Sequence, residues 1–442
     1  MKKMIWTASA VLAAAVPAAV WAQAVPNYGN YQSRDENFRI GIRLTNTGGA
    51  TLDGAFAQNT IDDIITYLDP AEIAAAQPGF YNAQTQVQGV FDLRGAPVLA
   101  GYAPNSPTLT VQFIDTRTGG TLIGPDGLAC SFTYAGATRG ASFDQFDAAT
   151  DSDLTPDERL LGCLGNAWAR SSPVDPLVGN PYSLQGNMTR NALDFTDGMS
   201  LVELGPNANS AGDPFIIGAT FSTGSAGRFD MTRIDARINK GWRLLEGNRA
   251  RLKLDIPFSF TTIKGAAAYT GEIGLGLEVP IMANFWSLEP RVAYGVTYSG
   301  EQGSLGHIVQ GTIASRLVFR GLGRGQLMVG NMAGYSTTLD TPGDLNINPD
   351  VKAWMFRNGF AYELPLKMRV GGRNTSFRAS YGFTNYTGAV LYNNNFHEAS
   401  VSFGLRGRED TPKAFRDVVR LNFNTIQAKG FSTYTVGLGF RF

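Results

Sequence analysis

The sequence predicts an all-β transmembrane barrel of about twelve antiparallel strands, preceded by a small α+β N-terminal domain. Apolar and polar residues alternate from about residue 213 to the end of the 442-residue chain, as in strands with one apolar face. Charged residues are only 17% of the chain, whereas aromatic residues are 11% and there are 52 glycines. This composition is typical of a β-rich protein whose outer surface faces something other than water.

Residues 1–24 have the pattern of a cleaved signal peptide. Two lysines precede an apolar, Ala-rich stretch from Met4 to Val20, and small residues follow at two candidate cleavage sites, Ala22 and Ala24. The apolar stretch is short and weakly hydrophobic for a membrane anchor. No later segment of the sequence has ~20 uninterrupted apolar residues, so we expect an exported protein that does not span a membrane with helices.

The charge balance gives no electrostatic reason to expect a nucleic acid as partner. Lys plus Arg and Asp plus Glu are both 37, so the formal net charge is zero. Nucleic-acid-binding proteins usually carry a clear excess of positive charge.

Residues 25–212 are predicted to form the α+β domain. Two helix starts are recognisable, at Asp69–Glu72 and Thr155–Glu158, each with a capping residue, a proline in the first turn and an acidic residue. Short strands are expected at 38–44, 87–93 and 108–114. The only two cysteines, Cys130 and Cys163, are expected to form a disulfide bond in the oxidising periplasm, with a pair of free thiols as the alternative.

Residues 213–442 are predicted to contain the barrel strands. Most of them reach the ~9–11 residues needed to cross a bilayer. Pro257 falls inside one strand, and we expect a bulge there because a closed barrel has no free edge. The predicted strands are 213–222, 229–243, 249–261, 269–281, 286–299, 307–320, 325–336, 351–366, 373–386, 395–406, 417–427 and 431–442.

The polar face of these strands carries charges of both signs, which argues against a soluble β-sandwich. In a barrel such residues line a narrow lumen, where opposite charges can pair across strands, and the apolar face contacts lipid. The residues predicted to line the lumen are Arg233, Asp235, Arg237, Glu272, Glu289, Arg291, Arg316, Arg357, Glu363, Arg378, Glu398 and Arg420.

The last strand resembles the C-terminal signal of bacterial outer-membrane barrels. Thr435, Gly437, Phe440 and Phe442 match its polar residue, its glycine and its final aromatic residues. The resemblance implies a location in the bacterial outer membrane, contact with its lipid, and the barrel-assembly machinery as a partner.

Twelve strands that close at the C terminus, behind an exported N-terminal region, resemble the β-domain of autotransporters. The resemblance covers about 230 residues and implies a role in translocation or surface display. Autotransporters have a helix that runs through the pore, and 181–195 is the candidate segment here; an ordinary surface helix is the alternative. A passive solute or ion channel and a structural barrel with a filled lumen are alternative functions.

Because the number of strands is even, the first strand should begin and the last strand should end on the same side of the membrane, the periplasmic side. A disulfide between Cys130 and Cys163, if formed before translocation, would have to pass the narrow pore as a loop. We therefore expect the N-terminal domain to plug the lumen or to lie beneath it on the periplasmic side.

No catalytic residue, metal site or cofactor is expected. His397 and Ser400 are three positions apart on one strand and therefore lie on opposite faces, and there is no Gly-x-Ser-x-Gly motif. The acidic residues of segment 147–158 depart from a calcium loop at a ligand position and at the turn glycine. Gly321–Gly325 is interpreted as a strand connection, because no helix pattern follows it.

Overall fold

The computed structural model describes most of the chain. The described residues are 6–9, 25–34, 36–150, 156–195, 215–244, 250–282, 285–300, 304–322, 324–340, 347–407 and 417–442.

The N-terminal region contains one antiparallel sheet, with neighbours in the order β1-β3-β2-β4-β5-β6-β7. Its strands are β1 (Trp6–Ser9), β2 (Phe38–Thr45), β3 (Thr51–Gln58), β4 (Gln86–Leu93), β5 (Ala96–Tyr102), β6 (Leu109–Phe113) and β7 (Ser131–Tyr134). Strands β2, β4 and β6 correspond to the three predicted short strands. Strand β1 lies within the predicted signal peptide, so its removal would leave β3 at the edge of the sheet.

The described part of the chain before the barrel contains five α-helices. They are α1 (Ile61–Ile65), α2 (Pro70–Ala76), α3 (Arg139–Thr150), α4 (Glu158–Ser171) and α5 (Leu184–Ala192), with 3-10 turns at Tyr28–Ser33 and Thr66–Leu68. Helix α2 begins as predicted, with the Asp69 carboxylate accepting from the amide of Ala71.

The predicted start of α4 is wrong by two residues. The capping residue is Asp157, whose carboxylate accepts from the amides of Arg159 and Leu160. An aspartate can satisfy two free amides of the first turn, so the helix begins after it instead of at Pro156.

The hydrophobic core of the domain lies between the sheet and α4. Phe91 and Val111 of the sheet and Leu164 and Trp168 of α4 are among its buried residues. The predicted disulfide between Cys130 and Cys163 is present and ties the end of the sheet to α4, with both cysteines fully buried.

The C-terminal region is a closed barrel of twelve antiparallel strands, and the fold-class prediction is confirmed. Every strand end lies within four residues of its predicted position. The strands are β8 (Phe215–Ala226), β9 (Phe229–Arg243), β10 (Arg251–Ile263), β11 (Ala266–Met282), β12 (Trp286–Ser299), β13 (Ser304–Leu322), β14 (Gly325–Leu339), β15 (Lys352–Val370), β16 (Arg373–Thr387), β17 (Asn395–Arg406), β18 (Asp417–Ala428) and β19 (Phe431–Arg441).

The bulge expected at Pro257 is absent from the described strands β9, β10 and β11. Pro257 keeps its place in the ladder with β9, opposite Arg237. On the β11 side the pairs Asp255–Gly274 and Phe258–Gly271 share one register, with pairing interrupted only between them. The missing N–H of proline therefore costs local pairing without inserting a residue.

The two ends of the barrel hold different parts of the chain. We call the end that holds Phe215 and Phe442 the proximal end, and the opposite end the distal end. The distal end carries the connections 227–228, 264–265, 388–394 and 429–430, and the described residues 300, 340 and 347–351 of two others.

The N-terminal domain lies on the distal end. Arg228, in the first distal turn, donates to the carbonyl oxygen of Glu36 over 2.6 Å, and Asn37 donates to that of Ile263 over 3.4 Å. The amide of Tyr392 donates to the carbonyl oxygen of Ala169 over 2.9 Å.

For the sheet and helices α1 to α4 this position differs from the expected one, whereas the segment after α4 does enter the lumen. The domain had been expected to plug the lumen or to lie beneath the barrel, on the side where the barrel begins and ends. It lies at the other end, because the segment after α4 turns into the lumen and carries the chain back towards the proximal end.

Candidate functional site

The exterior of the barrel is a band of large apolar side chains. Exposed aliphatic or aromatic residues occur on nearly every strand, and Val292, for example, is 62% exposed. Soluble monomers rarely expose contiguous apolar patches above a few hundred Å². With every strand paired in a closed ring, this surface is that of a barrel that spans a membrane.

The twelve charged residues predicted to line the lumen alternate with this apolar face and point inwards. All except Asp235 and Arg237 are buried, and those two are half-buried. Each has an oppositely charged partner in the lumen, and for Arg237 the partner is Asp194, which precedes the barrel in the chain.

Towards the proximal end, two groups of ion pairs lie on the lumen wall and connect nearby strands. In one, the Lys253 ammonium lies 2.8 Å from both Glu278 and Glu289, and Glu289 also pairs with Arg316. In the other, Glu363 accepts from Arg378 over 2.7 Å and from Arg420 over 3.2 Å, and Arg420 also pairs with Asp417. Lys253 and Asp417 were not among the residues predicted to line the lumen, because their pairing depends on the register between strands.

The segment from Tyr182 to Asp194, which contains α5, lies inside the lumen. Arg190 Nε lies 2.7 Å from Glu398 Oε1, and Asn191 donates to Glu272 over 2.7 Å. Its side chains and carbonyl groups bond to eight of the twelve strands, namely β9, β11, β13, β14, β15, β16, β17 and β19. The segment therefore contacts most of the lumen wall.

Glycines of the lumen wall accept apolar side chains of this segment and of Phe195, the residue that follows it. A Cβ atom at Gly295 would lie 2.7 Å from Leu184 and 3.0 Å from the sulfur of Met188. A Cβ at Gly330 or at Gly359 would lie 2.8 Å from the ring of Phe195. The wall lacks side chains where the inserted segment approaches it, so the fit is one of shape as well as charge.

The lumen beside α5 contains a small cavity. It has a volume of about 50 Å³ and lies between α5 and strands β8 to β11, β18 and β19, lined by Arg190, Arg233 and Glu272 among others. Such a volume holds a few water molecules. The inserted segment and the wall residues bonded to it therefore occupy the lumen at the level of α5.

The junction between domain, inserted segment and barrel is centred on Arg94. Its backbone is in the left-handed region (φ 57°), which is unfavourable for a residue with a side chain. The buried guanidinium lies 3.8 Å above the Trp168 ring, 3.9 Å from Asp175 Oδ1, and donates to Ser304 Oγ over 3.2 Å. Burial raises the pKa of Asp175 to about 6 and lowers that of Arg94 to about 10.

The terminal strand closes the barrel. The amide of Phe442 donates to the carbonyl oxygen of Phe215 over 2.9 Å, and β19 pairs along its length with β8. Thr435 faces the lumen, where its hydroxyl lies 2.8 Å from that of Ser222 and 3.1 Å from that of Tyr182. Gly437 lies opposite Thr220, while Phe440 and Phe442 point outwards.

The two histidines lie on the outer face of the barrel. His397 Nδ1 is 2.6 Å from the Tyr381 hydroxyl, whereas Ser400 points into the lumen and bonds to Ser380. His307 has a similar partner in Tyr294. Of the acidic loop, residues 151–155 lie outside the described part of the chain, as does residue 323 of the 321–325 connection.

The described residues contain neither a metal-binding cluster nor a membrane-spanning helix. No group of three or more His, Cys, Asp or Glu side chains there could hold a metal ion. None of the helices described is both long enough and apolar enough to cross a membrane.

No protein-family model and no curated protein matches this sequence. Among solved structures, the translocator domain of the autotransporter NalP from Neisseria meningitidis is similar at 15% identity and a TM-score of 0.38, covering 59% of this chain and 96% of that one. The β-domain of the Bordetella autotransporter BrkA is similar at 12% identity and 0.35, covering 51% and 98%. An outer membrane channel from Pseudomonas putida F1 is similar at 8% identity and 0.34, covering 55% and 100%.

The features of the chain that bear on its function are its closed barrel, its outer surface and its lumen. Its closed ring of strands, apolar exterior and paired charges within are those of an outer-membrane β-barrel, with its own upstream segment inserted in the lumen.

Proposed function

We propose that the barrel exports and displays its own N-terminal domain, in the manner of an autotransporter. In this proposal the proximal end faces the periplasm and the domain faces the outside of the cell. The inserted segment remains in the lumen after export and closes it. The role is one of transport and anchoring, with no catalytic step.

The path of the chain is the observation that carries the proposal. The domain ends with α4 at the distal end, the chain then enters the lumen as Tyr182–Asp194, and the first barrel strand begins at Phe215 at the proximal end. A chain that passed outwards through a finished or closing barrel would be left in this arrangement. A periplasmic plug domain would need no segment that enters the lumen from the distal end.

The disulfide sets a condition on export. The bridge between Cys130 and Cys163 has a sequence separation of 33 and would widen the chain during passage. The proposal therefore requires one of two routes. Either the disulfide forms after the domain has passed through the lumen, or the loop that it closes passes through the lumen as a hairpin. The terminal strand with Thr435, Gly437, Phe440 and Phe442 would be delivered to the barrel-assembly machinery, as the resemblance implies.

Labelling of intact cells tests the direction of display. Gln145→Cys places a thiol on the exposed side of α3 in the domain, and Arg324→Cys places one in an exposed proximal turn. With the native cysteines bridged, a membrane-impermeant maleimide should label Gln145→Cys on intact Gram-negative cells, and Arg324→Cys only after permeabilisation. Labelling of Gln145→Cys only after permeabilisation, or the reversed pattern, would overturn the proposal.

A passive channel is the second candidate, and the geometry favours it less. The inserted segment occupies the lumen at the level of α5, where Arg190 and Asn191 bond to the barrel wall, and it lies where a channel would need an open path. Conduction would require that segment to leave the lumen.

A further inference from the structure

A cavity of about 560 Å³ lies between the N-terminal domain and the distal rim of the barrel. Its walls are the sheet, through Phe91 and Val111, and α4, through Leu164 and Trp168, and it reaches the barrel at Tyr298. Cavities of roughly 300–1,000 Å³ are the size at which proteins bind small molecules. The cavity is separate from the lumen and from the inserted segment.

The cavity is suited to hydrocarbon. Most of its lining consists of buried aliphatic and aromatic side chains from the domain core. The charged residues that line it are Asp62 and Asp147, both in exposed positions and therefore at its edge. Among its described lining residues there is no Lys, Arg or His, so an anionic group at the edge would meet negative charge.

The cavity also meets the surface that faces the membrane. Tyr298 lines it and is at the same time 56% exposed on the apolar outer face of β12, near the distal end of that strand. Leu305, the second residue of β13, lines it from the neighbouring strand. A hydrocarbon chain in the adjacent leaflet could therefore enter sideways without crossing water.

From these three observations we propose that the cavity binds the hydrocarbon chain of a membrane amphiphile whose head group is uncharged or cationic. The chain would lie between the sheet and α4, and the head group would remain near Asp62 and Asp147. The bound amphiphile would tie the domain to the leaflet at the distal end. This inference holds whichever side of the membrane the distal end faces, so it can fail or succeed independently of surface display.

Trp168 provides a reporter inside the cavity. It is 2% exposed, so bromine atoms on lipid chains outside the cavity cannot contact its ring. The full-length protein is placed in phosphatidylcholine nanodiscs that contain increasing amounts of a monoacylglycerol with a dibrominated chain. The fluorescence of Trp168 is obtained as the difference between wild type and Trp168→Phe, which removes the contribution of the other tryptophans.

A matched pair of variants tests the location. Val111→Phe adds a phenyl ring inside the cavity, and Thr110→Phe adds one to the exposed face of the same strand. We expect saturable quenching of at least half of the Trp168 fluorescence in wild type and in Thr110→Phe. In Val111→Phe the probe concentration for half-maximal quenching should rise at least tenfold. Should Val111→Phe fail to fold, as judged by protease resistance of the domain, Ala100→Leu fills the same cavity with a smaller addition.

Two results would overturn the inference. One is an absence of Trp168 quenching in wild type while lipid-facing tryptophans are quenched. The other is equal quenching in the cavity-filling variant and in Thr110→Phe. The head-group assignment has its own test, because the same brominated chain as a fatty acid carboxylate at pH 8 should quench at least fivefold more weakly. Equal quenching by the carboxylate contradicts that assignment.

Discussion

Arg190 on the inserted helix and Glu398 on the barrel wall form a buried ion pair, with Nε and Oε1 2.7 Å apart. Glu398 is 1% exposed and pairs through its second oxygen with Arg357, another residue of the wall. One carboxylate thus neutralises two guanidinium groups, that of Arg357 fully buried in the wall and that of Arg190 half-buried on the inserted helix. Removing a single partner of a buried pair typically costs about 3–5 kcal/mol, because the remaining charge is left without compensation.

Glu398→Ala should weaken the hold of the lumen on α5. Two positive charges would then lie close together without their common partner, and the segment should leave the lumen part of the time. In planar bilayers we expect a silent wild type and discrete current steps for Glu398→Ala. Glu398→Gln, which keeps a hydrogen-bond acceptor, should open less often.

Asp230→Asn is the control for this experiment. Asp230 is a highly exposed carboxylate at the distal end, 3.8 Å from Lys264, and its loss should leave the bilayer silent. Current steps in wild type at the frequency of Glu398→Ala would show that the segment does not close the barrel.

Docking of the domain on the barrel should weaken as the pH rises from about 4 to about 6. The folded state raises the pKa of Asp175 from 3.8 to about 6, so it binds a proton more tightly than the unfolded state. Stability is therefore greatest below the unfolded value and is lost as the pH rises through the folded value, by at most about 3 kcal/mol. Arg94, with its pKa near 10, stays charged over this range.

Hydrogen exchange of the linker and domain between pH 4 and pH 8, corrected for intrinsic rates, measures this dependence. Asp175→Asn should make protection nearly independent of pH, because the amide oxygen can still accept from the amide of Val178. Asp126→Asn, at an exposed position, should leave the wild-type dependence unchanged. An unaltered pH dependence in Asp175→Asn would assign the effect to another group.

The barrel could be predicted from the sequence because each strand has an apolar face towards lipid and a polar face towards the lumen. The N-terminal sheet could be predicted only in part. Strands β3, β5 and β7 were missed because β3 and β5 are rich in Ala and Gly, which have low strand propensity, and β7 has four residues. These three segments are strands because they pair with neighbouring strands of the sheet.

The position of the domain could not be predicted, because it depends on contacts between distant parts of the chain. Asn37 and Ile263 are 226 positions apart, and no local pattern signals that they meet. The lumen charges were visible on the polar faces, but their partners on α5 were not. Arginine and asparagine are common on any solvent-exposed helix, so nothing in the sequence indicates that Arg190 and Asn191 bond to the lumen wall.

The disulfide should stabilise the domain and leave the barrel unaffected. Closing a loop of this length is expected to contribute about 3–4 kcal/mol by reducing the entropy of the unfolded domain. Cys130→Ala/Cys163→Ala should lower the melting temperature of the domain, followed by the fluorescence of Trp168. The barrel should keep its heat-modifiable mobility in detergent gels, and a change in that mobility would indicate that the bridge also supports the barrel.

A charge on the outer face of the barrel should destabilise the barrel, whereas the same charge on a water-exposed surface should not. Val292 lies near the middle of β12 and faces outwards, so Val292→Arg should reduce the free energy of unfolding by about 2–4 kcal/mol in urea titrations with lipid vesicles. Val292→Leu should be nearly neutral, and Gln145→Arg, which places the same side chain on the exposed face of α3, should not affect the barrel. If Val292→Arg unfolded at the wild-type urea concentration, the apolar face of β12 would not be in contact with hydrocarbon, and the membrane-spanning interpretation of the barrel would be wrong.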